Sequence, residues 1–289
     1  RYILTGSSTP ELIKNNTETL AGRIAYFELM PFSLPEIASV KSIYEHWFRG
    51  GFPLSLLATS DEASILWREN FISTSLHRDI KNLGYEITIP VMDRLLRVLA
   101  SANGTIITLE SISNVLDISS KTLKKYLDIL EGSFLIRRLP PYFANTTKRL
   151  VRSPKLFFRD TGLLHSLLGI ESLEYLHGTV FLGASWEAYV IEQIILTAGS
   201  KWQADYYRTQ AGAEADLVLS QPGGKKVLIE IKYSVDPQPS RGFYEVAADL
   251  KPDHQYIIIP EGEAWLRNEN QKVCGLQYFL QVELPGLNN

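Results

Sequence analysis

Between Gly212 and Ser234 the chain reads G-A-E-A-D-L-V-L-S-Q-P-G-G-K-K-V-L-I-E-I-K-Y-S, the stretch that most restricts what it can fold into. Two apolar alternating runs, Asp216–Leu219 and Val227–Ile231, flank a Pro-Gly-Gly turn, the pattern of a β-hairpin. Side chains alternate across a strand, so Glu230 and Lys232 share one face while Ile229 and Ile231 take the other. Pairing about the turn sets Asp216, near the start of the first strand, beside Glu230, near the end of the second. Asp216, Glu230 and Lys232 thus converge at one end of a small sheet, and Glu214 shares the face of Asp216 as a spare acid. Read alone, E-x-K in a strand is a half-exposed face carrying a charge pair. Two facing carboxylates repel, however, and a hard divalent cation such as Mg2+ relieves that repulsion. A lysine beside the metal orients or deprotonates a water and steadies charge developing on a phosphate.

Upstream, a helix expected over Phe181–Leu196 carries Glu187 beside an apolar stripe of Trp186, Tyr189, Val190, Ile194 and Ile195. Tyr206–Arg208 is a strand leading to the hairpin, and buried strands at Gln255–Ile259 and Gln277–Val282 complete the sheet. This D…E-x-K hairpin behind an acidic helix resembles the PD-(D/E)XK nuclease superfamily. The resemblance implies metal ligands at Asp216 and Glu230 and a catalytic lysine at Lys232, and Glu214, by its shared face, is a spare metal-binding acid. It also implies an accessory acid at Glu187 that tunes a second metal or orients Lys232. Arg208 either holds a phosphate oxygen or pairs with Glu214.

At 289 residues the chain has room for two or three domains, and its 45% hydrophobic and 21% charged content is that of an ordinary globular protein. A net charge of −3 argues against general electrostatic attraction to nucleic acid and leaves room for a local basic patch. The single cysteine, Cys274, excludes a disulfide framework and a cysteine-rich zinc site, which fits a reducing compartment, the cytoplasm. No apolar run is long enough for a membrane-spanning helix, and the start does not read as a signal peptide.

The opening residues read as a core strand, Tyr2–Leu4, running into Thr5-Gly6-Ser7-Ser8, then a helix from Pro10 and a second strand over Ala25–Leu29. A chain seldom begins on a core strand, so an N-terminal part is expected ahead of Arg1. R-Y-I-L-T-G-S-S, with L-A-G-R-I at 20–24 and L-M-P-F-S-L-P-E at 29–36, resembles the tail of an AAA-type ATPase module. The family it resembles is the bacterial and archaeal group of ATPases that carry a nuclease-like C-terminal domain. That resemblance implies a polar sensor for the γ-phosphate or attacking water at Thr5, Ser7 or Ser8, and a nucleotide-sensing arginine at Arg23. By the residues alone the same stretch is a strand with a capping turn and a surface arginine. The phosphate loop G-x-x-x-x-G-K-[ST] is absent, and Gly223-Gly224-Lys225-Lys226 is a hairpin turn. The chain as given is therefore expected not to hydrolyse ATP, which belongs to the full-length protein.

Residues 41–86 read as helices interrupted at Arg49-Gly50-Gly51-Phe52-Pro53, with a long helix from Ala63 to about Leu83 and a His77-Arg78-Asp79 turn near its end. Residues 87–160 have the cadence of a winged helix. Its helices are expected at Val91–Ala100, Leu109–Leu116 and Lys121–Glu131, and its strands at Phe134–Leu139 and Lys155–Phe158. Lys121, Lys124 and Lys125 on the exposed face of the third helix suit DNA phosphates, joined near the wing by Arg137, Arg138, Lys148, Arg149 and Arg152. The competing reading is a winged helix that only packs against protein. Ser153–Leu164 reads as strand, turn and helix, with Asp160 as the helix cap.

The expected fold class is mixed α/β. Its parts are an ATPase edge at 1–40, a helical connector at 41–86, a winged helix at 87–160 and a nuclease-like α/β domain at 161–289. Three functions stay open: magnesium-dependent hydrolysis of DNA phosphodiesters, an inactive nuclease fold that binds DNA or protein, and a relay within an ATP-driven switch. Self-association is expected through the ATPase part.

Overall fold

The computed structural model describes residues 25, 27–74, 88–143 and 148–287. Thr5, Ser7, Ser8, Arg23 and the His77-Arg78-Asp79 turn lie outside the described residues. The strand expected over Ala25–Leu29 is not formed by its described residues, where Phe27 and Leu29 stand exposed on irregular backbone. An alternating run becomes a strand only where a neighbour pairs its backbone groups, and neither described sheet extends to it.

Four helices open the described chain: α1 (Leu34–Ile37), α2 (Ile43–Arg49), α3 (Pro53–Leu56) and α4 (Asp61–Thr74). Capping boxes start the first two, Ser33 with Glu36 and Ser42 with Glu45, each pairing a side-chain oxygen with an orphan backbone N–H. Gly50, at φ +77°, ends α2 in a conformation that L side chains avoid.

The middle unit runs α5 (Ile89–Ser101), β1 (Thr105–Ile106), α6 (Leu109–Leu116), α7 (Ser120–Gly132), β2 (Ile136–Leu139) and β3 (Lys155–Phe158). Its strands form an antiparallel sheet in the order β1-β3-β2, with Arg137 opposite Phe157. Leu95, Leu96 and Leu99 of α5 and Leu123, Leu127 and Leu130 of α7 recur at helical spacing and close on Leu156 and Phe158 of the sheet. Each such burial is worth about 2 kcal/mol, which is what holds three short helices to so small a sheet.

Helices α8 (Thr161–Leu167), α9 (Leu173–His177) and α10 (Leu182–Ala198) lead into the larger sheet. Its strands are β4 (Gln203–Arg208), β5 (Glu214–Ser220), β6 (Lys226–Ile231), β7 (His254–Ile259), β8 (Trp265–Asn268) and β9 (Gln271–Gly275), in the order β4-β5-β6-β7-β9-β8. The first three form an antiparallel meander, and α11 (Arg241–Leu250) makes the crossover that lets β7 lie parallel to β6. The two-residue period sorts the faces. Leu217, Leu219, Val227 and Ile229 join the core that contains α10, while Val218 and Leu228 pack with Phe243, Val246 and Leu250 of α11. Helix α10 is buried on more than one side. The first helices also lean on it: Leu34 N donates to Gln193 Oε1 at 2.6 Å, Trp47 Nε1 donates to Ser185 Oγ at 2.9 Å, and His46 Nδ1 lies 2.8 Å from the Tyr189 hydroxyl.

The strand expected at Gln277–Val282 is instead helical, within consecutive turns from Leu276 to Gly286, and the hairpin β8–β9 completes the sheet. Leu276, Phe279, Leu280, Leu284 and Leu287 are buried, a helical spacing that the aromatic and β-branched content disguises. No helix among the described residues is long and apolar enough to cross a membrane.

Candidate functional site

The β5–β6 register, with Leu217 opposite Ile229, brings Asp216 to the position beside Glu230, and Asp216 Oδ2 accepts from Ile231 N at 2.7 Å. Glu230 is buried and fully engaged. Its two carboxylate oxygens accept from Ser240 N at 3.1 and 3.2 Å, and Lys232 Nζ lies 2.9 Å from Oε1. Ser240 caps α11 through its side chain, so Glu230 also fixes where that helix starts.

Lysine 155 is the residue that local sequence reading does not bring to this site. It leaves the middle sheet from β3, is 3% exposed, and puts its Nζ 2.9 Å from Glu187 Oε1 and 2.5 Å from Glu214 Oε1. The other oxygen of Glu214 lies 3.0 Å from Arg208 Nη1, so of its two sequence options Arg208 takes the pairing with Glu214. Asn103 clamps the two units here, with Nδ2 donating to Ala184 O at 3.0 Å and Oδ1 accepting from Phe158 N at 2.9 Å. The sequence signal for Lys155 is a lysine opening K-L-F-F, a four-residue strand with every residue buried; a buried ammonium requires an acid.

The charges are uneven. Burial, with the nearby Glu187 and Glu230, pushes Asp216 up to about 7, against the pull of Lys155 and the Ile231 N–H. Burial also raises Glu187 above the ordinary carboxylate range, despite its contact with Lys155. For Lys232 burial favours the neutral amine, but Glu230, Asp216 and Glu187 together outweigh it and raise its pKa. The same balance, struck by Glu187, Asp216 and Glu214, raises that of Lys155.

These placements bear on the Mg2+ that the nuclease resemblance implies. The carboxylates of Glu187, Glu214 and Glu230 already hold lysine, arginine or backbone N–H groups, and Asp216 accepts from Ile231 N. Among the described residues no three His, Cys, Asp or Glu side chains gather in a way that could hold a metal ion. As arranged, the acids do not make a ligand set, and the positive charge comes from Lys155, Lys232 and Arg208.

Elsewhere, Lys121, Lys124 and Lys125 all lie on the exposed side of α7. The basic residues near the wing are differently employed. Arg137 makes two bonds to Glu192, at 2.7 and 2.9 Å, and Arg159 Nε adds a third at 2.8 Å. Burial disfavours ionised Glu192, yet the two guanidiniums outweigh it and hold its pKa below the usual carboxylate range. Arg138 pairs with Glu131 and Asp128, and Lys148 Nζ lies 2.7 Å from Asp249. The segment between β2 and β3 pairs along β4: Tyr206 N donates to Pro140 O at 2.9 Å and Val151 N to Arg208 O at 2.9 Å. Arg137, Arg138 and Lys148 therefore tie parts of the chain together, which corrects their reading as a phosphate-facing set. Glu192 is a further functional acid outside the expected set, and its sequence signal is an acid inside V-I-E-Q-I-I-L, which requires a buried partner.

Two family models match the chain, each described as a domain of unknown function: DUF8612 over residues 40–174 and DUF4143 over residues 182–279. An uncharacterized protein of Mycobacterium tuberculosis is 37% identical over 260 residues, covering 90% of this chain and 58% of that protein. One from Haemophilus influenzae is 25% identical over 211 residues, covering 66% of this chain and 52% of its own. Among solved structures, an assembly of Thermococcus gammatolerans McrB AAA+ hexamers with bound McrC aligns at a TM-score of 0.25 and 11% identity, over 63% of this chain and 46% of that one. The chain thus spans little more than half the length of these curated relatives.

Proposed function

We propose that these residues form the non-catalytic, DNA-docking part of a longer ATPase-linked protein, in which a winged-helix unit and a nuclease-like unit are locked together. One observation carries the non-catalytic reading. The oxygens that would face a metal are held within the chain, Glu230 by Lys232 and Ser240 N, and Glu187 and Glu214 by Lys155. The helix–strand order of residues 89–158 supports the winged-helix unit, and the three lysines on α7 supply its phosphate-facing charge. The link to an ATPase rests on the resemblance of the first 36 residues, and the relatives, of whose length the alignment covers 58%, leave room for such a part. ATP binding and ring assembly would then belong to the whole protein.

A second reading has its own support. The order α10-β4-β5-β6-α11-β7, with Glu187, Asp216, Glu230 and Lys232 near one end of the sheet, agrees with what the nuclease resemblance implies. One assay separates the two. The parent chain and Lys232→Ala are both expected to leave single- and double-stranded DNA intact in MgCl2 or MnCl2. Cleavage by the parent that is lost in Lys232→Ala would overturn the non-catalytic reading. Docking is tested by Lys121→Glu with Lys124→Glu. Duplex affinity is expected to fall about tenfold or more, and the slope of log affinity against log salt to flatten by roughly two. Unchanged binding would remove α7 as the contact surface.

A further inference from the structure

We propose that Lys155 is a built-in counter-cation, its ammonium occupying the seat in the acidic cluster that a divalent cation would otherwise take. The middle unit thereby plugs the acidic site of the nuclease-like unit. The inference deepens the non-catalytic reading above by naming the residue that closes the site.

The geometry is that of a cation seat with the cation supplied by the chain. A single nitrogen bridges oxygens from two elements, Glu187 on α10 at 2.9 Å and Glu214 on β5 at 2.5 Å, and its aliphatic stem is buried. The helix that carries Glu187 is tied to the middle unit. Asn103 joins the β1 turn to Ala184 in the first turn of α10, and Gly104 next to it takes φ +76°, a conformation that L side chains avoid. Charge counting points the same way. Glu187, Glu214, Asp216 and Glu230 face Lys155, Lys232 and Arg208, so the intact cluster carries one acid in excess. Loss of Lys155 leaves those four acids facing two cations and frees hard oxygen donors on Glu187 and Glu214 close to Asp216. The strand that carries Lys155 is paired on both sides, to β1 and to β2, which fixes its backbone opposite the cluster.

The test uses the full 289-residue chain, with MnCl2 as the probe. Manganese binding by calorimetry and the thermal midpoint with and without millimolar MnCl2 are measured for the parent and for Lys155→Met. The parent's midpoint is expected not to respond. The variant is expected to be less stable without metal, to regain several degrees with MnCl2, and to bind manganese at least about tenfold more tightly than the parent. Equal binding by both proteins, or a folded variant indifferent to manganese, would overturn the proposal. If Lys155→Met does not fold without metal, the double variant Lys155→Met with Glu214→Gln, which removes the added negative charge, is expected to fold. Its failure to do so counts against a seat governed by charge. The outcome is independent of the DNA assays: parent-chain cleavage would defeat the non-catalytic reading, whereas the manganese response of the variant decides the role of Lys155.

Discussion

Replacing Asp160 by alanine is expected to destabilise the protein by on the order of 3–5 kcal/mol, a fall in thermal midpoint of roughly 10 °C. Asp160 sits where two glycine-bearing motifs, R-G-G-F-P and D-T-G, interlock. Its Oδ1 accepts from Leu163 N at 2.9 Å, capping α8, and its Oδ2 accepts from Gly51 N at 2.8 Å. Nearby Arg68 is fully buried and donates to Phe48 O at 3.0 Å and Gly162 O at 2.8 Å. Burial raises Asp160 above the usual carboxylate range, against the pull of the Leu163 and Gly51 N–H groups and of Arg68. Keeping the carboxylate inside is therefore costly in itself, and the damage from removing it lies in what it leaves behind: two orphaned N–H groups and a guanidinium without its nearby acid. Asparagine keeps the oxygen that caps α8 but turns an N–H2 toward Gly51 N, so Asp160→Asn should recover only part of the loss. Gly162→Ala should be worse than either, because its Cβ would stand 2.2 Å from Arg49 O, a backbone atom with no room to retreat. Chemical denaturation of the three variants checks the order. An alanine variant as stable as the parent would show that the interlock does not depend on Asp160.

Much of this architecture is legible in the sequence where the deciding contacts are local. Helix α6 and strand β3 have the limits that periodicity assigns, Leu109–Leu116 and Lys155–Phe158, because capping residues and apolar spacing lie within a few residues of each other. The acidic hairpin is legible for a similar reason. A Pro-Gly-Gly turn and a two-residue period fix the register, and the register fixes Asp216 beside Glu230. The C-terminal segment reads as a strand because Y-F-L-Q-V is rich in strand-favouring residues, while its burial follows helical spacing against a core formed by distant parts of the chain.

What the sequence hides at the site is where its positive charge comes from. Lys155 and Glu187 are 32 residues apart, and Arg137 and Glu192 are 55 apart. A window of one helix or one strand sees a basic wing and an acidic hairpin as two surfaces, each awaiting a ligand. Docking of the two units turns several of those charges inward as partners for one another. The E-x-K triplet itself keeps both of its sequence meanings, since Lys232 pairs with Glu230 as a surface couple would and yet lies within the acidic neighbourhood a nuclease would use.

Asp216 gives the most direct measure of which meaning prevails. Its pKa stands at about 7 against an ordinary 3.8, so between those values the folded protein holds a proton that the unfolded chain has released. This group's contribution to stability is fully present below about pH 4 and is lost as pH rises toward 7. Asp216→Asn removes that titration while keeping an oxygen for Ile231 N, so the variant should match the parent near pH 4 and gain on it steadily to pH 7. Above that the advantage should level off at a few kcal/mol, on the scale of about 1.4 kcal/mol per pKa unit. Burial sets the sign, reinforced by Glu187 and Glu230, which repel the Asp216 carboxylate, and opposed by Lys155, which attracts it but is shared with Glu187 and Glu214. Denaturant titrations of both proteins across pH 4–8 read the difference directly. An advantage that is flat with pH, or that grows toward acid, would mean Asp216 is held ionised by its neighbours. That is the state a metal ligand requires, and it would favour the nuclease reading. An advantage that grows toward neutral pH instead marks a carboxylate kept protonated by burial and by its acidic neighbours, as expected of a site in which lysine has replaced the metal.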